Sequence, residues 1–460
     1  MTQIFPFRGV IYNIKKVKDF SRVLTQPYDK IDDRMQKTYY AKHLNNLVRI
    51  TKGMEQANDN ELNNKYTRAG EFFRQWLKEK ILVQDEKPAI YVYYQTYQVD
   101  GFSKIRKGFI ALGKLLDYGK KGVHAHERTL LKPKQDRLNL MRSVGGSTGQ
   151  IFMLYSDPEL VINRLMDKTI SRKKPDVAAK DESGVIHEVW RLTQPAAIQR
   201  IAKRIAGRDV FIADGHHRYE TALNYRNEMR RKKIKCIEPE SYRNRMMTFV
   251  NMDDEGLTIL PTHRLIFGLK NFSFGKFLKK LAPYFRTDVF YFHNGRSEEK
   301  TREILLANLR KYSDRAPTFA LMGRGLKKYF LLTLRNEKMM NKIITERHSA
   351  DWKRLDVTIL HSLILDHLLG ITREKLEQES NVRYTRYVAE AVEAVRAPTK
   401  SGLAPIKSGL AGKFQMAFLL NPTKIQEVKK VAAGGERMPQ KSTDFYPKLL
   451  SGIVISKINF

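Results

Sequence analysis

Between Val210 and Leu223 the chain reads VFIADGHHRYETAL, so an acid, a glycine, two imidazoles and a guanidinium follow one another from Asp214 to Arg218. That set of groups could hold and process a negatively charged ligand. The apolar run Val210–Ala213 predicts a buried strand, Gly215 permits a tight turn without Cβ strain, and helix-compatible sequence follows from about His217 to Lys233. A helix N-terminus presents free N–H groups and a partial positive charge, so a guanidinium or a protonated imidazole there is locally unfavourable. A bound anion reverses that sign: the helix amides, Arg218 and a histidine converge on phosphate oxygens. Another arrangement stays open, in which Arg218 pairs with Asp214 or Glu220 and the histidines sit satisfied in the core. Zinc is a poorer fit, because adjacent His216 and His217 point in different directions on a helix.

Three further segments carry titratable groups. In HAHERTLLKPKQDRLNLMRS, His124 to Ser143, His126 and Glu127 could act as an acid/base pair, while Lys132, Lys134, Arg137 and Arg142 could hold anionic groups. Asp136 could bind magnesium or orient an arginine, and the whole segment could equally be a surface loop with ordinary ion pairs. In TQPYDKI, Pro27, Tyr28 and Asp29 predict a turn after a short strand. In MPQKSTDFYPKLLSG, Lys441, Ser442 and Thr443 sit between Pro439 and Pro447, in a loop that either reaches a site or serves as a connection.

The elements that must position these groups alternate along the chain. Residues 34–86 read as helical, Ala89–Val99 and Gly108–Leu116 as a β-hairpin or meander broken at Gly101, 195–208 as an amphipathic helix and Met246–Met252 as a strand. From about 270 helices and strands alternate again, Leu355–Leu369 is a strongly apolar helix, and the Gly, Pro and Lys-rich residues 397–411 predict an exposed loop. The expectation is an α+β protein with a first domain over 1–265 and a C-terminal α/β domain over 266–460.

Composition excludes several classes. Lys and Arg total 84 against 49 Asp and Glu, a formal charge of +35, with 42% apolar and 29% charged residues. That mix is globular, and its charge predicts attraction to polyanions. The excess is scattered in small clusters such as Arg172-Lys173-Lys174 and Arg230-Arg231-Lys232-Lys233, with no zinc finger, zipper or aromatic RNA-binding signature, so solvated helix faces explain most of it and nucleic acid is not the favoured partner. Cys236 is the single cysteine, which excludes an internal disulfide or a cysteine metal cluster. No apolar run is long enough to span a membrane and the start has no signal-peptide pattern, so a cytoplasmic protein is expected.

The segments FRGVIYN, QPYDKI, HERTL, KPKQDRL, GQIFMLYSDP, VWRLTQP, ADGHHRYETAL, LPTHRL, LDVTILHSLIL, FLLNPT and MPQKSTDFYPKLLSGIVI occur in this order. Together they resemble domain-of-unknown-function family ten-fifteen over essentially the whole chain. The Asp-Gly-His-His-Arg turn is also similar to the phosphate-binding box of the ParB/sulfiredoxin superfamily, and to the Asp-Gly-x-His-Arg turn of its ADP-dependent free serine kinases. That likeness implies a ParB/sulfiredoxin-like mixed core with a large insertion between Asp29 and Asp214. It implies phosphate held by Gly215, His216, His217 and Arg218, with Asp214 near the reacting group or a magnesium ion, Asp29 close to the same pocket, and ADP or ATP as the nucleotide. His216 stands where sulfiredoxins carry their catalytic cysteine, which argues against sulfinic acid reduction.

These readings converge on phosphoryl transfer or phosphate-ester hydrolysis on a small phosphorylated metabolite, with serine or O-phosphoserine favoured. Arg218 and a histidine would clamp the phosphoryl group, Glu127 or Asp214 would accept a proton, and His126 or His217 would serve as the acid. The alternative is a nucleotide- or nucleic-acid-binding regulator that uses the same turn without catalysis.

Overall fold

A computed structural model describes residues 1–118, 122–127, 131–396 and 414–459, with 131–133 as backbone alone. The loop expected at 397–411 and a further basic pair of the sequence, Lys120-Lys121, lie outside these residues. The chain divides into two compact units, Met1–Thr258 with Phe445–Phe460, and Ile259–Asp444. This differs from the division read in the sequence chiefly at the end: residues after Asp444 return to the first unit. They do so through backbone hydrogen bonds that join Ser451 to Thr25 and Ile455 to Val10 in both directions.

The first unit is built on a nine-stranded mixed sheet. Its strands are β1 (Ile4–Phe5), β2 (Ile90–Val99), β3 (Phe102–Lys114), β4 (Val123–Ala125), β5 (Ile151–Tyr155), β6 (Val177–Lys180), β7 (Ile186–Leu192), β8 (Val210–Asp214) and β9 (Asn244–Asn251). They lie in the order β4-β8-β5-β9-β3-β2-β7-β6, and β1 pairs with β3. The β2–β3 hairpin turns at Asp100 and Gly101, both at positive φ (51° and 82°), the conformation a tight two-residue turn requires and Asp-Gly supplies. Ile90, Val92, Phe109, Met153, Ile212 and Phe249 meet in its core. Five helices matter for the site: α1 (Lys65–Lys78), α2 (Leu131–Val144), α3 (Val161–Ile170), α4 (Pro195–Ile205) and α5 (His216–Arg231). The polar stretch around 131–144 is thus a helix, not a loop, and it packs between α1 and α5. The region 34–86 is not one helical stretch: helices at Asp33–Lys42, Val48–Thr51 and α1 are separated by loops, and Leu82–Gln84 is a strand.

The second unit holds a six-stranded sheet of β10 (His263–Phe267), β11 (Phe285–Tyr291), β12 (Thr318–Gly323), β13 (Lys328–Leu334), β14 (Val382–Thr385) and β15 (Phe414–Leu419), ordered β11-β13-β12-β15-β10-β14. Every pairing in it is antiparallel. The parallel sheet that α/β alternation implies is absent from it, because a short turn from Gly323 to Lys328 folds β13 straight back on β12. The helix over Leu355–Leu369 forms as the apolar pattern predicts, and Ile359, Leu363 and Ile364 are fully buried in this unit's core.

The excess charge is not all on the surface. Arg106, Arg218, Arg226, Arg245 and Arg264 are buried, a class of side chain seldom enclosed without a partner. No helix among the described residues is long and apolar enough to cross a membrane.

Candidate functional site

Strand β8 runs parallel to β4, with Ile212 opposite Ala125, so the residues that follow both strands arrive at the same edge of the sheet. His126 and Glu127 thereby meet the Asp214–Arg218 turn. Gly215 has φ 92° and ψ 29°, which ends the strand and opens α5. A Cβ built there would lie 2.9 Å from Arg218 Nε and 3.0 Å from its Cζ. Glycine is therefore required twice, for the left-handed backbone and for the space into which Arg218 folds back.

Arg218 is buried and partnered. Its Nη1 donates to the Gln150 carbonyl, and its Nη2 lies 3.4 Å from Asp214 Oδ2. The pairing with Asp214, left open by the sequence, does form. Burial alone would raise the Asp214 carboxyl, but the charges of Lys448, Arg218 and Lys30 outweigh it and hold the group far below the usual carboxylate range. A carboxylate so strongly held is a poor proton acceptor, so the base role expected of Asp214 gives way to that of a fixed negative charge.

The imidazoles divide the work. His216 Nε2 accepts from the His126 backbone N–H at 3.3 Å, and its Nδ1 faces Glu127 Oε2 at 3.4 Å. The proton therefore sits on Nδ1 and both nitrogens are engaged, which accounts for His216 as a packed hinge rather than a phosphate ligand and ties Glu127 to it. The His126 ring stands edge-on to His216, with centroids 4.7 Å apart, and burial pushes His126 down to about 4. It is neutral near pH 7, so it is not the imidazolium that the acid role expected of it requires. His217 is half-buried and also lowered, by burial first and by Lys134 and Arg218, against the opposing charges of Asp29 and Glu220. Being neutral near pH 7, it suits a proton acceptor better than the acid expected of it.

The Pro27-Tyr28-Asp29 turn comes to the same place. Tyr28 lies under Arg137, whose guanidinium carbon is 4.0 Å from the ring centroid, and burial with the neighbouring Asp29 pushes its phenol up to about 12. Arg137 donates to the Thr51 carbonyl at 2.7 Å and to Asp136 at 2.8 Å. Asp136 also accepts from Tyr66 Oη at 2.8 Å and lies 3.2 Å from Lys65 Nζ. Burial would raise it, yet Arg137, Tyr66 and Lys65 keep it below its ordinary value. Those three donors occupy the carboxylate, so it does not fit a magnesium ion, and among the described residues no group of three or more His, Cys, Asp or Glu side chains could hold a metal.

Two cavities meet at Arg137. The inner one, about 40 Å³, is lined by Arg137, Arg218, Arg245, Thr148, Thr221 and Ser451 among others. The outer one, about 320 Å³, is lined by Lys52, Lys65, Glu55, Tyr66, Asp136 and Gln36 among others. Tyr28, Thr51, Arg137 and Leu140 belong to both walls. Of the turn itself Arg218 alone lines these cavities; Gly215, His216 and His217 do not. The Lys132 side chain lies outside the described residues. Lys441 and Ser442 belong to the second unit, where the Lys441 ammonium lies over the Tyr384 ring at 5.6 Å and Ser442 Oγ donates to the Pro439 carbonyl at 2.5 Å. The later half of that same quoted segment is what reaches the site, through Lys448 beside Asp214 and Ser451 in the inner cavity. Sequence reasoning also missed Arg245 and Thr148. A lone arginine opening the apolar run Met246–Met252 was the available signal.

Fold and site together define a mixed α/β protein of two units, with an arginine-lined cleft beside a strand-to-helix turn in the first. The chain belongs to the family described as Protein of unknown function (DUF1015), whose model matches residues 4–358. None of the curated proteins compared matches it. Among solved structures, it is similar to a free serine kinase mutant in complex with ADP at TM-score 0.31 and 11% identity, over 72% of this chain and 88% of that one. It is similar to a conserved hypothetical protein from Pyrococcus furiosus at TM-score 0.28 and 13% identity, over 70% and 86%. It is similar to SbnI with a C-terminal truncation from Staphylococcus aureus at TM-score 0.30 and 11% identity, over 74% and 85%.

Proposed function

We propose that the protein is a phosphoryl-transfer or phosphate-ester-hydrolysing enzyme acting on a small phosphorylated metabolite. The observation that carries this reading is that Arg137 and Arg218 line one cleft at the foot of the Asp-Gly turn, with Asp214 3.4 Å from Arg218. Two guanidiniums in a partly dry cleft match the charge and shape of a phosphoryl group, and most of the barrier to its transfer falls to positioning and charge neutralisation. The likeness of the turn to the ParB/sulfiredoxin phosphate box supports the same reading.

In this account Arg137 and Arg218 hold the phosphoryl oxygens, and Asp214 fixes Arg218 in place. A hydroxyl or water oxygen forms the new bond to phosphorus, the leaving oxygen departs with its bonding pair, and the attacker's proton passes through one water to neutral His217, which feels the charges of Arg218 and Asp29 but stands behind the cavity wall. In the kinase direction ADP or ATP donates; in the hydrolytic direction the ester itself enters. No step runs through a metal. The outer cavity is lined by Lys52 and Lys65 together with Glu55. Charges of both signs suit a zwitterion, which favours serine or O-phosphoserine among small substrates.

The test is turnover of phosphorylated amino acids and nucleoside diphosphates by the purified protein, with and without magnesium. Activity should fall at least about 10²-fold in His217→Gln. In the wild type it should decline as the pH drops below the ordinary histidine range, because a lowered imidazole loses its free electron pair only on the acid side. Absence of turnover across the panel, or a wild-type rate in His217→Gln, rejects the reading.

A further inference from the structure

Among the described residues, each cation lining the inner cavity has a counter-charge except one. Arg137 answers Asp136, and Arg218 answers Asp214. Arg245, which lies in β9 and is 8% exposed, has no carboxylate against it among the described residues. Its Nη1 touches Met141 Sδ at 3.3 Å, a weak acceptor, and its Nε has no hydrogen-bond partner. Burial pushes Arg245 down to about 9, and the cationic Arg218 adds to that push against the opposing Tyr225. Enclosing an unanswered guanidinium is strongly unfavourable, so a fold that keeps one must gain elsewhere.

The cavity shows where. Arg245 shares the inner cavity with Arg218 and with the hydroxyl-bearing Thr148, Thr221 and Ser451. Its volume of about 40 Å³ has room for roughly three waters, or for one tetrahedral oxyanion in their place. The outer cavity is larger, at about 320 Å³, and shares Tyr28, Thr51, Arg137 and Leu140 with its wall. We infer that Arg245 is a ligand-binding residue that, with Arg218, anchors a dianionic phosphoryl group in the inner cavity, so that the ligand enters phosphate first and leaves its organic remainder in the outer one. This rests on the proposed reading of the cleft as a phosphate-handling site, and it adds the residue that supplies the unmatched charge.

The probe is inorganic phosphate, followed by calorimetry and by the shift it causes in thermal unfolding of the full chain. Arg245→Met keeps the volume and removes the charge. Its affinity for phosphate should fall about tenfold to a hundredfold, the loss of one charge-assisted hydrogen-bonding partner. Its Tm without phosphate should stay level or rise, because an uncompensated buried charge has gone. Arg245→Gln serves as a second variant with the same expectations. Wild-type phosphate affinity in either variant overturns the inference. So does failure of both to fold, since a guanidinium retained for a ligand is dispensable to the empty protein. So does absence of phosphate binding by the wild type at millimolar concentration. Phosphate binding that depends on Arg245, in a protein with no turnover of any ester, sinks the proposed function and leaves this inference standing.

Discussion

Arg245 in the first unit and Arg264 in the second are both buried arginines on sheet strands, yet they are treated in opposite ways. Arg264 spends its terminal nitrogens inside its own unit: Nη1 donates to the Thr262 carbonyl, Nη2 lies 3.0 Å from the Lys441 carbonyl and 3.2 Å from His361 Nε2, and its guanidinium covers the Tyr384 ring at 5.5 Å. Burial pushes it down to about 10. Arg245 is left facing a cavity with another arginine. Burial by itself therefore does not mark a functional arginine. Among the described residues the Nε of each lacks a partner, so what separates the two is whether the terminal nitrogens are used up by the fold or left facing a cavity, and Arg218, bonded to Gln150 and Asp214 while lining the same cavity, stands between them.

The largest effect should come from Arg218→Ala. We expect kcat/KM on the phosphate substrate to fall about 10²- to 10³-fold, with about 2 kcal/mol of stability lost through the abandoned Gln150 carbonyl and Asp214; steady-state kinetics and urea unfolding measure both. If activity survives, the likeness between Arg218 and Arg264 is closer than the cavity implies. Arg264→Met should lose a similar 2–3 kcal/mol or so, because the Thr262 and Lys441 carbonyls go unpaired, yet leave kcat/KM of the folded fraction unchanged. A drop in kcat/KM there would break the contrast from the other side. Gly215→Ala should cost about 1–2 kcal/mol for the positive φ and raise KM, because its Cβ displaces the Arg218 guanidinium; unaltered KM would show that Arg218 need not lie where it does.

The most diffuse effect concerns pH and shows only in acid. His126 in the first unit and His263 in the second are both pushed down to about 4, by burial first. A lowered imidazole is protonated more readily in the unfolded chain, so its stabilisation is full above about pH 6.5 and is lost as pH falls toward 4, by about 3 kcal/mol for each. His126→Gln should flatten the acid side of the unfolding curve for the first unit, and His263→Gln that for the second. Acid profiles unchanged by either substitution would show that these rings do not govern acid unfolding.

Much of this was legible in the sequence where chemistry is local. The strand, the glycine pivot and α5 followed from an apolar run, a residue free at positive φ and a polar run of helical period. The arrival of Tyr28 and Asp29 at the same place came from the resemblance. What was not legible depends on enclosure. Nothing in the letters says that both nitrogens of His216 are occupied, that Asp214 is held too acidic to take a proton, or that Arg245 lacks a counter-charge, since each is a property of neighbours far away in sequence. In the C-terminal segment the sequence offers Lys441 and Ser442 as pocket candidates, in a loop that either reaches a site or serves as a connection, and does not single out Lys448 and Ser451, because the point at which the chain leaves one unit for the other, after Asp444, carries no turn signal distinct from its surroundings.

The first unit is written in two instalments, Met1–Thr258 and Phe445–Phe460, and Ser451 and Lys448 come in the second. During synthesis the ribosome must deliver all of Ile259–Asp444 before those two side chains exist. The intervening unit, contiguous along the polypeptide, is free to fold while its predecessor still lacks a sheet-bordering segment. A complete cleft would then be among the last features the growing chain acquires, and a fragment stopping at Thr258 would carry the Asp-Gly turn without Ser451 in the wall of its cavity.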